Sequence, residues 1–324
     1  MKILIIGFGS IGRRHLNNLV ELGYQDISLV RRNTDPIDNF RVFSTIHDAC
    51  ETQRYQYAII ATPSAIHFQN FNELITYNIP NIYIEKPVSN LLEEAFRMEK
   101  IANKKNVNVV VGYDLHFDIG LNKVRELLTN KEFGKALTFQ SEVGQYLPDW
   151  RPHEDYRNGM SAKKSLGGGV MLDLIHEFDY VQWIFGTIVS VLGIHRKISS
   201  LAIDSEDVSI TILETDKGIV GSVYLDYLQK ELSRKCKIVF NKGTIVWDYG
   251  KSNVKWMTHE DSTWKEYSYA NFQRNDRFVE IIKAFMNSNL YKDSRLTSLA
   301  EGIKSLKIVV AAKKSSVDNK LIRV

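Results

Sequence analysis

Cysteine is nearly missing from this 324-residue chain. Cys50 and Cys236 are too few and too far apart to form a disulfide framework, so a reducing cytoplasm is the expected compartment. Long apolar runs are missing too. The longest are a few residues, against the ~20 that span a bilayer, and no membrane partner is expected. The opening Met1-Lys2-Ile3-Leu4-Ile5-Ile6-Gly7 is too short for the core of a signal peptide and runs straight into glycines. It reads as a first strand. Neither sign of charge dominates. Lys and Arg number 42 against 38 Asp and Glu, a net +4, and no block of like charges points to nucleic acid. No internal repeat is present.

What remains is ordinary globular composition, 44% apolar and 25% charged. At ~150 residues per domain the length suggests two domains. A chain this long buries a core that needs neither disulfides nor structural metal. In the first third, strands at 2–6, 27–30, 41–43, 57–60, 81–84 and 107–111 alternate with helices at 11–22, 47–52, 65–77 and 91–104. That alternation predicts an α/β domain with a parallel sheet. The pattern changes after about Leu115. A helix at 121–128 and a strand at 136–143 precede a polar, aromatic stretch over 144–165. Three glycines and a helix over 170–185 follow, then successive strands from 188 to 269, then helices at 274–286 and 297–314. Strands with flanking helices predict an α+β domain.

Gly7-Phe8-Gly9-Ser10-Ile11-Gly12 is a G-x-G-x-x-G set between the first strand and the first helix. In that context it reads as a dinucleotide loop, with Gly7, Gly9, Ser10, Ile11 and Gly12 around a pyrophosphate at the helix N-terminus. Arg13 and Arg14 in the first helical turn oppose the macrodipole, which suggests an anion nearby. The second strand ends Leu29-Val30-Arg31-Arg32-Asn33. A carboxylate there would hold the ribose 2′-hydroxyl of NAD; Arg accommodates the 2′-phosphate of NADP. Arg31 and Arg32 therefore predict NADP(H), with NAD the alternative.

Two further motifs lie at strand ends, where ligands bind in open α/β sheets. They are Thr62-Pro63 with His67 beyond it, and Glu85-Lys86-Pro87. With Gly7–Gly12, Val111-Gly112-Tyr113, Gly167-Gly168-Gly169 followed by Asp173, His176 and Asp179, and the final Ala300-Glu301-Gly302 helix, these make the chain resemble the Gfo/Idh/MocA oxidoreductases over almost its whole length. The resemblance implies a Rossmann dinucleotide-binding domain, placed at 1–117, with Thr62, Pro63, His67, Glu85 and Lys86 also at the cofactor. It implies a second domain at 118–324 with an open-faced, mostly antiparallel sheet that pairs the chain into a homodimer or homotetramer. It further implies a cis bond before Pro87, and oxidation or reduction at a hydroxyl or keto carbon.

The resemblance puts Lys86 near the nicotinamide and Asp173 and His176 on the helix after the glycines. A His suits removal of a hydroxyl proton, a carboxylate can orient it, and the Lys ammonium stabilises alkoxide character. The family commonly spaces this Asp and His by four; here the spacing is three, and Glu177 stands in the usual His slot. His176 is taken as acid/base with Asp173 its partner, and Glu177 is the rival. His176-Glu177 makes no zinc-protease pair, because position 180 is Tyr. Tyr113 and His116 are the expected substrate contacts near the third motif, where many relatives carry Asn and Arg in place of Asp114 and His116. Trp150, Arg151, Tyr156 and Arg157 lie in the aromatic stretch, where rings can stack on a sugar and Arg can bind an anion bidentately. The Tyr146–Pro152 segment resembles members of the family from surface-polysaccharide sugar pathways, which implies a sugar or nucleotide-sugar substrate. Two other readings are a non-catalytic dinucleotide-binding sensor and a reductase of a non-sugar C=C or C=N bond.

Overall fold

The apolar run at the start of the chain is strand β1 (Ile3–Ile6), buried at every residue. The computed structural model describes residues 1–324. After β1 come α1 (Ser10–Glu21), β2 (Ile27–Val30), β3 (Arg41–Phe43), α2 (Ile46–Thr52), β4 (Tyr57–Ile60), α3 (His67–Thr76), β5 (Asn81–Ile84), α4 (Leu92–Lys105) and β6 (Asn108–Val111). β2, β4 and β5 are also buried throughout, as parallel strands covered on both faces are. The parallel strands lie in the order β6-β5-β4-β1-β2-β3. The chain runs outward from β1 through β3, then crosses back to β4 on the other side of β1. That reversal is a topological switch point, and it sets the carboxyl ends of β1 and β4 beside a crevice. Local chemistry supports the helices. Thr45 caps α2 by accepting from the Asp48 N–H at 3.0 Å. α4 carries Glu93 and Glu94 in its first turn and Lys104 and Lys105 in its last, matching the helix dipole.

The remaining elements are α5 (Ile119–Leu128), β7 (Ala136–Gly144), α6 (Val170–Asp173), α7 (His176–Phe185), β8 (Ile188–Arg196), β9 (Val208–Thr215), β10 (Val220–Asp226), β11 (Ser233–Phe240), β12 (Gly243–Asp248), β13 (Asn253–Thr258), β14 (Lys265–Ser268), α8 (Arg274–Met286), β15 (Thr297–Ser298), α9 (Leu299–Asp318) and β16 (Ile322–Arg323). Nine strands form one sheet in the order β14-β13-β12-β11-β7-β10-β9-β8-β16. Its pairs are antiparallel except β7 with β10. α7 covers one face. Phe185 stacks on Phe139 of β7 with centroids 4.5 Å apart, and Tyr180 meets Trp247 of β12 edge-on at 5.7 Å. The Tyr180 and Ser141 hydroxyls, 2.6 Å apart, satisfy each other beneath the helix. The other face presents exposed Leu192, Ile194, Ile210 and Ile212.

Two expectations change. The chain divides into Met1–Asp114 with Arg274–Ile303, and Leu115–Gln273 with Lys304–Val324, instead of at 117/118. α8 and β15 thus belong with the first sheet. β15 pairs with β6, and Phe285 of α8 packs edge-on against Tyr57 at 5.5 Å and tilted against Tyr83 at 5.6 Å. An amphipathic helix does not announce in its own sequence which sheet it will cover. The helix expected over 170–185 is two helices, because Leu174 leaves helical geometry at φ −102°, ψ 28°. The stretch after β7 is a chain of short 3-10 turns. No helix is long and apolar enough to cross a membrane.

Candidate active site

The glycine loop joins β1 to α1. Gly7 has φ +90°, and a Cβ there would lie 2.6 Å from the Ala61 carbonyl oxygen at the end of β4. A Cβ on Gly12 would lie 2.1 Å from the Gly7 carbonyl oxygen. Both positions therefore need glycine. Gly9 is different, since a Cβ on it would meet nothing within 4 Å. The space above it is open, α1 has no side-chain N-cap, and no acid stands in its first turn. The N–H groups that begin α1, at Ser10 and Ile11, are left for an anion. This cradle fits a dinucleotide pyrophosphate.

Phe8, at the loop tip, has two cations near its ring. The Arg13 and Arg31 guanidiniums lie 5.2 and 5.6 Å from its ring centroid. Arg32 is exposed beside them in sequence. Arg14 turns elsewhere, 4.5 Å from the Phe278 ring. The first carboxylate past β2, Asp35, is held in a turn by Asn33, whose Nδ2 donates to it at 2.7 Å.

At the end of β4, the Thr62 hydroxyl oxygen accepts from Asn70 Nδ2 at 2.9 Å, next to Pro63. His67, expected at the cofactor, is enclosed by protein. Its Nε2 lies 2.9 Å from the Thr62 carbonyl, and its Nδ1 lies 3.0 and 3.2 Å from the carbonyls of Pro87 and Val88. Burial pulls its pKa below the usual imidazole value, against the pull of those carbonyls. Glu85, also expected at the cofactor, is buried at the end of β5 with its Oε1 2.7 Å from His15 Nε2. Between these two anchored neighbours stands Lys86, the one residue from Asn81 to Ser89 that is not buried. The Lys86–Pro87 bond is cis. Tyr113 is fully buried, which argues against its expected substrate contact.

In the second unit, Gly167 (φ +87°) and Gly169 (φ +119°) turn the chain into α6. Asp173 ends that helix, and its Oδ2 accepts from the Tyr227 hydroxyl at 2.5 Å. Burial and the Asp173 charge push the Tyr227 pKa well above its ordinary value, so this hydroxyl stays a donor. His176, buried, begins α7 across the Leu174–Ile175 break, so the pair does not share one continuous helix. The rival Glu177 is fully buried in an ion pair, its Oε1 2.8 Å from Arg234 Nε. A carboxylate held that way is poorly suited to shuttle a proton. His116, expected at substrate, is buried as well. Its ring stacks on Trp183 at 4.0 Å and its Nε2 lies 2.8 Å from Asp179 Oδ2.

Of the four aromatic-stretch candidates, three line one shallow pocket: Trp150, Arg151 and Tyr156. Trp150 donates from Nε1 to the Gln145 carbonyl at 3.0 Å and meets Tyr227 edge-on at 5.3 Å. The pocket wall thus leans on the residue that holds Asp173. Arg157 is not among the pocket's lining residues, and its Nε donates to Asp155 at 2.8 Å. Sequence reasoning missed Tyr227, His15 and Arg234. A polar His on the buried side of α1, beside Leu16 and Leu19, is the one local signal among them.

Residues 1–113 match the GFO/IDH/MocA oxidoreductase family with its NAD-binding Rossmann fold, and residues 121–246 match the GFO/IDH/MocA C-terminal domain. Myo-inositol 2-dehydrogenase of Thermotoga maritima is 22% identical over 347 aligned positions, covering 100% of this chain and 98% of that one. The WlbA dehydrogenase of Bordetella pertussis, solved with NADH and UDP-GlcNAcA, is similar with a TM-score of 0.83 at 19% identity, covering 100% and 97% of the two chains. Levoglucosan dehydrogenase, solved with NADH and levoglucosan, has a TM-score of 0.87 at 16% identity, covering 100% and 99%. At these identities the solved structures establish the fold.

Proposed function

The chain belongs to the GFO/IDH/MocA oxidoreductase family, and from that premise we propose that it is an NADP(H)-dependent enzyme that oxidises or reduces a hydroxyl or keto carbon of a sugar or nucleotide-sugar. The observation that carries the reading is Lys86, left accessible at the end of β5 by a run of residues buried on both sides of it. The open space over Gly9 supports the dinucleotide. Arg31, drawn to the Phe8 ring beyond a strand end that has no carboxylate, supports the 2′-phosphate of NADP. NAD is the alternative, and NADH is what the WlbA and levoglucosan dehydrogenase structures contain. The inositol, levoglucosan and UDP-sugar named for the similar proteins support a polyol substrate.

When bound, the nicotinamide supplies or accepts the hydride. Gly7, Gly9 and Gly12 with the first N–H groups of α1 would hold the pyrophosphate. In the oxidative direction His176 takes the hydroxyl proton, and the Lys86 ammonium stabilises the negative charge that develops on oxygen. Asp173, oriented by the Tyr227 hydroxyl, is the carboxylate partner in this reading. Reduction runs these proton transfers in reverse. Trp150, Arg151 and Tyr156 contact the sugar. The reading also includes a cytoplasmic location, supported by two free cysteines, and a homo-oligomer formed through the exposed sheet face.

The test is turnover of myo-inositol, levoglucosan and UDP-GlcNAcA with NADP and with NAD. Lys86→Ala should lower kcat by ~10²–10³-fold. Arg31→Ala with Arg32→Ala should raise KM for NADPH by ~10–100-fold, the loss of one charge-assisted contact, with little change for NADH. Equal effects on both cofactors would overturn the NADP assignment. Tight NADPH binding without turnover of any polyol would favour the sensor. A product altered at a C=C or C=N bond, with every hydroxyl carbon unchanged, would favour that reductase.

A further inference from the structure

We propose that two buried histidines, His15 and His67, are positioning residues that hold Lys86 from either side and tie it to the loops that receive the dinucleotide. The proposal rests on the catalytic reading of Lys86 given above. His15 lies on α1, directly behind the glycine loop, and is fully buried. Its Nε2 is 2.7 Å from Glu85 Oε1, and the acceptor is a carboxylate, so Nε2 carries the proton. Tyr83 packs edge-on against the imidazole with centroids 5.2 Å apart. Gly112 leaves room for the arrangement, since a Cβ there would lie 2.7 Å from Tyr83 Oη and 3.2 Å from Glu85 Oε2. The residue before Lys86 is therefore fixed to the helix that follows the glycine loop.

The residues after Lys86 are fixed by His67. His67 packs between two sets of backbone carbonyls, Thr62 beside Nε2 and Pro87 and Val88 beside Nδ1, and the single N–H of the neutral ring donates to one of them. The ring thus sits wedged between the loop at the end of β4 and the loop at the end of β5. Neither histidine needs to touch substrate to matter. A Lys whose flanking residues are pinned loses little entropy when it meets a reacting oxygen, and a misplacement of ~1 Å can cost ~10²-fold in rate. Any shift of α1 or of the Thr62 loop on cofactor binding is passed to the two peptides that bracket Lys86.

The full-length protein tests this through His15→Leu, His67→Leu and His15→Gln, whose amide nitrogen can stand where Nε2 stood. With the panel member that is turned over, both Leu variants should lower kcat ~10–100-fold, with KM for the dinucleotide changed less than ~2-fold, and His15→Gln should recover most of the loss. Should His15→Leu not fold, His15→Asn reads the same contact, because its amide is too short to reach Glu85. A substrate-free readout is the ¹³C-dimethyl resonance of Lys86 in reductively methylated protein, assigned with Lys86→Arg. It should shift in His67→Leu and in His15→Leu, or in His15→Asn should His15→Leu not fold, and stay put in His15→Gln. Wild-type kcat and an unmoved Lys86 resonance in these variants would overturn the proposal. If Lys86→Ala itself keeps wild-type turnover, the catalytic reading of Lys86 fails; if Lys86→Ala is inactive while the histidine variants are fully active, this inference alone fails.

Discussion

Tyr227 and His67 differ in how far their roles could be foreseen. His67 stands in a motif that sequence comparison picks out, yet its ring is occupied by backbone carbonyls on both nitrogens. Tyr227 stands in no motif, yet its hydroxyl is 2.5 Å from the candidate carboxylate Asp173, a residue 54 positions earlier in the chain. A motif marks where a residue is constrained and does not say whether the constraint is contact with a ligand or support of the backbone beside it. A contact closed across α7 and the strands β8, β9 and β10 has no local signature. The burial of His67 has a consequence in solution. Its pKa is pulled below the ordinary 6.5 by desolvation. Below pH 6.5 the unfolded chain binds a proton there that the folded chain resists, so stability falls as pH drops through that window and is indifferent to this group above it. Urea midpoints at pH 7.5 and 5.5 should therefore separate more for wild type than for His67→Gln. An equal acid dependence in the two would mean that the buried imidazole does not resist protonation.

The elements that were legible are those whose pattern is complete within a few residues. β1 with its glycine loop, the buried strands β4 and β5, and the cap-bounded α2 each follow from local chemistry. The break between α6 and α7 was not legible, because Leu174 and Ile175 continue an apolar helical pattern and nothing between them breaks a helix by itself. The start of α6 is held by long-range contact instead. The Val170 N–H donates to the Glu206 carbonyl at 3.1 Å, and Gly169 sits at φ +119° with the Glu206 carboxylate 2.6 Å from where its Cβ would be. Lys313 Nζ, 3.1 Å from Glu206, restrains that carboxylate. Gly169→Ala should then cost ~1–3 kcal/mol in a denaturant titration, from backbone strain and from displacement of Glu206. Because α6 ends in Asp173, kcat should fall as well, at unchanged KM for the dinucleotide. An unshifted unfolding midpoint would show that the turn into α6 tolerates a side chain.

For the whole molecule, the two sheets were foreseeable but the path of the chain between them was not. α8 is amphipathic wherever it goes, and only its packing of Phe285 on Tyr57 and Tyr83 assigns it to the parallel sheet. The nine-stranded sheet raises a different issue. Its strands alternate, and on β8 and β9 the side turned away from α7 carries aliphatic side chains. In register, Leu192 pairs with Ile212 and Ile194 with Ile210, and all four side chains are exposed. Val220 on β10, in register with exposed Glu214 of β9, is exposed on the same face. A contiguous aliphatic block on two adjacent strands is rarely left to water, and burial of each such side chain is worth ~1.5–3 kcal/mol. A second copy of the chain can bury the block against its own, the self-complementary arrangement that two-fold dimers use. Paired sheets of this kind would make the protein a dimer, or a tetramer if a second interface is added. Light scattering should give a multiple of the monomer mass for wild type. Ile210→Asp with Ile212→Lys should reduce it to one chain, while the isolated protomer keeps its far-ultraviolet spectrum and binds the dinucleotide, whose cradle at Gly7, Gly9 and Gly12 lies in the other unit. A wild-type mass of one chain would show instead that this face meets solvent as it stands.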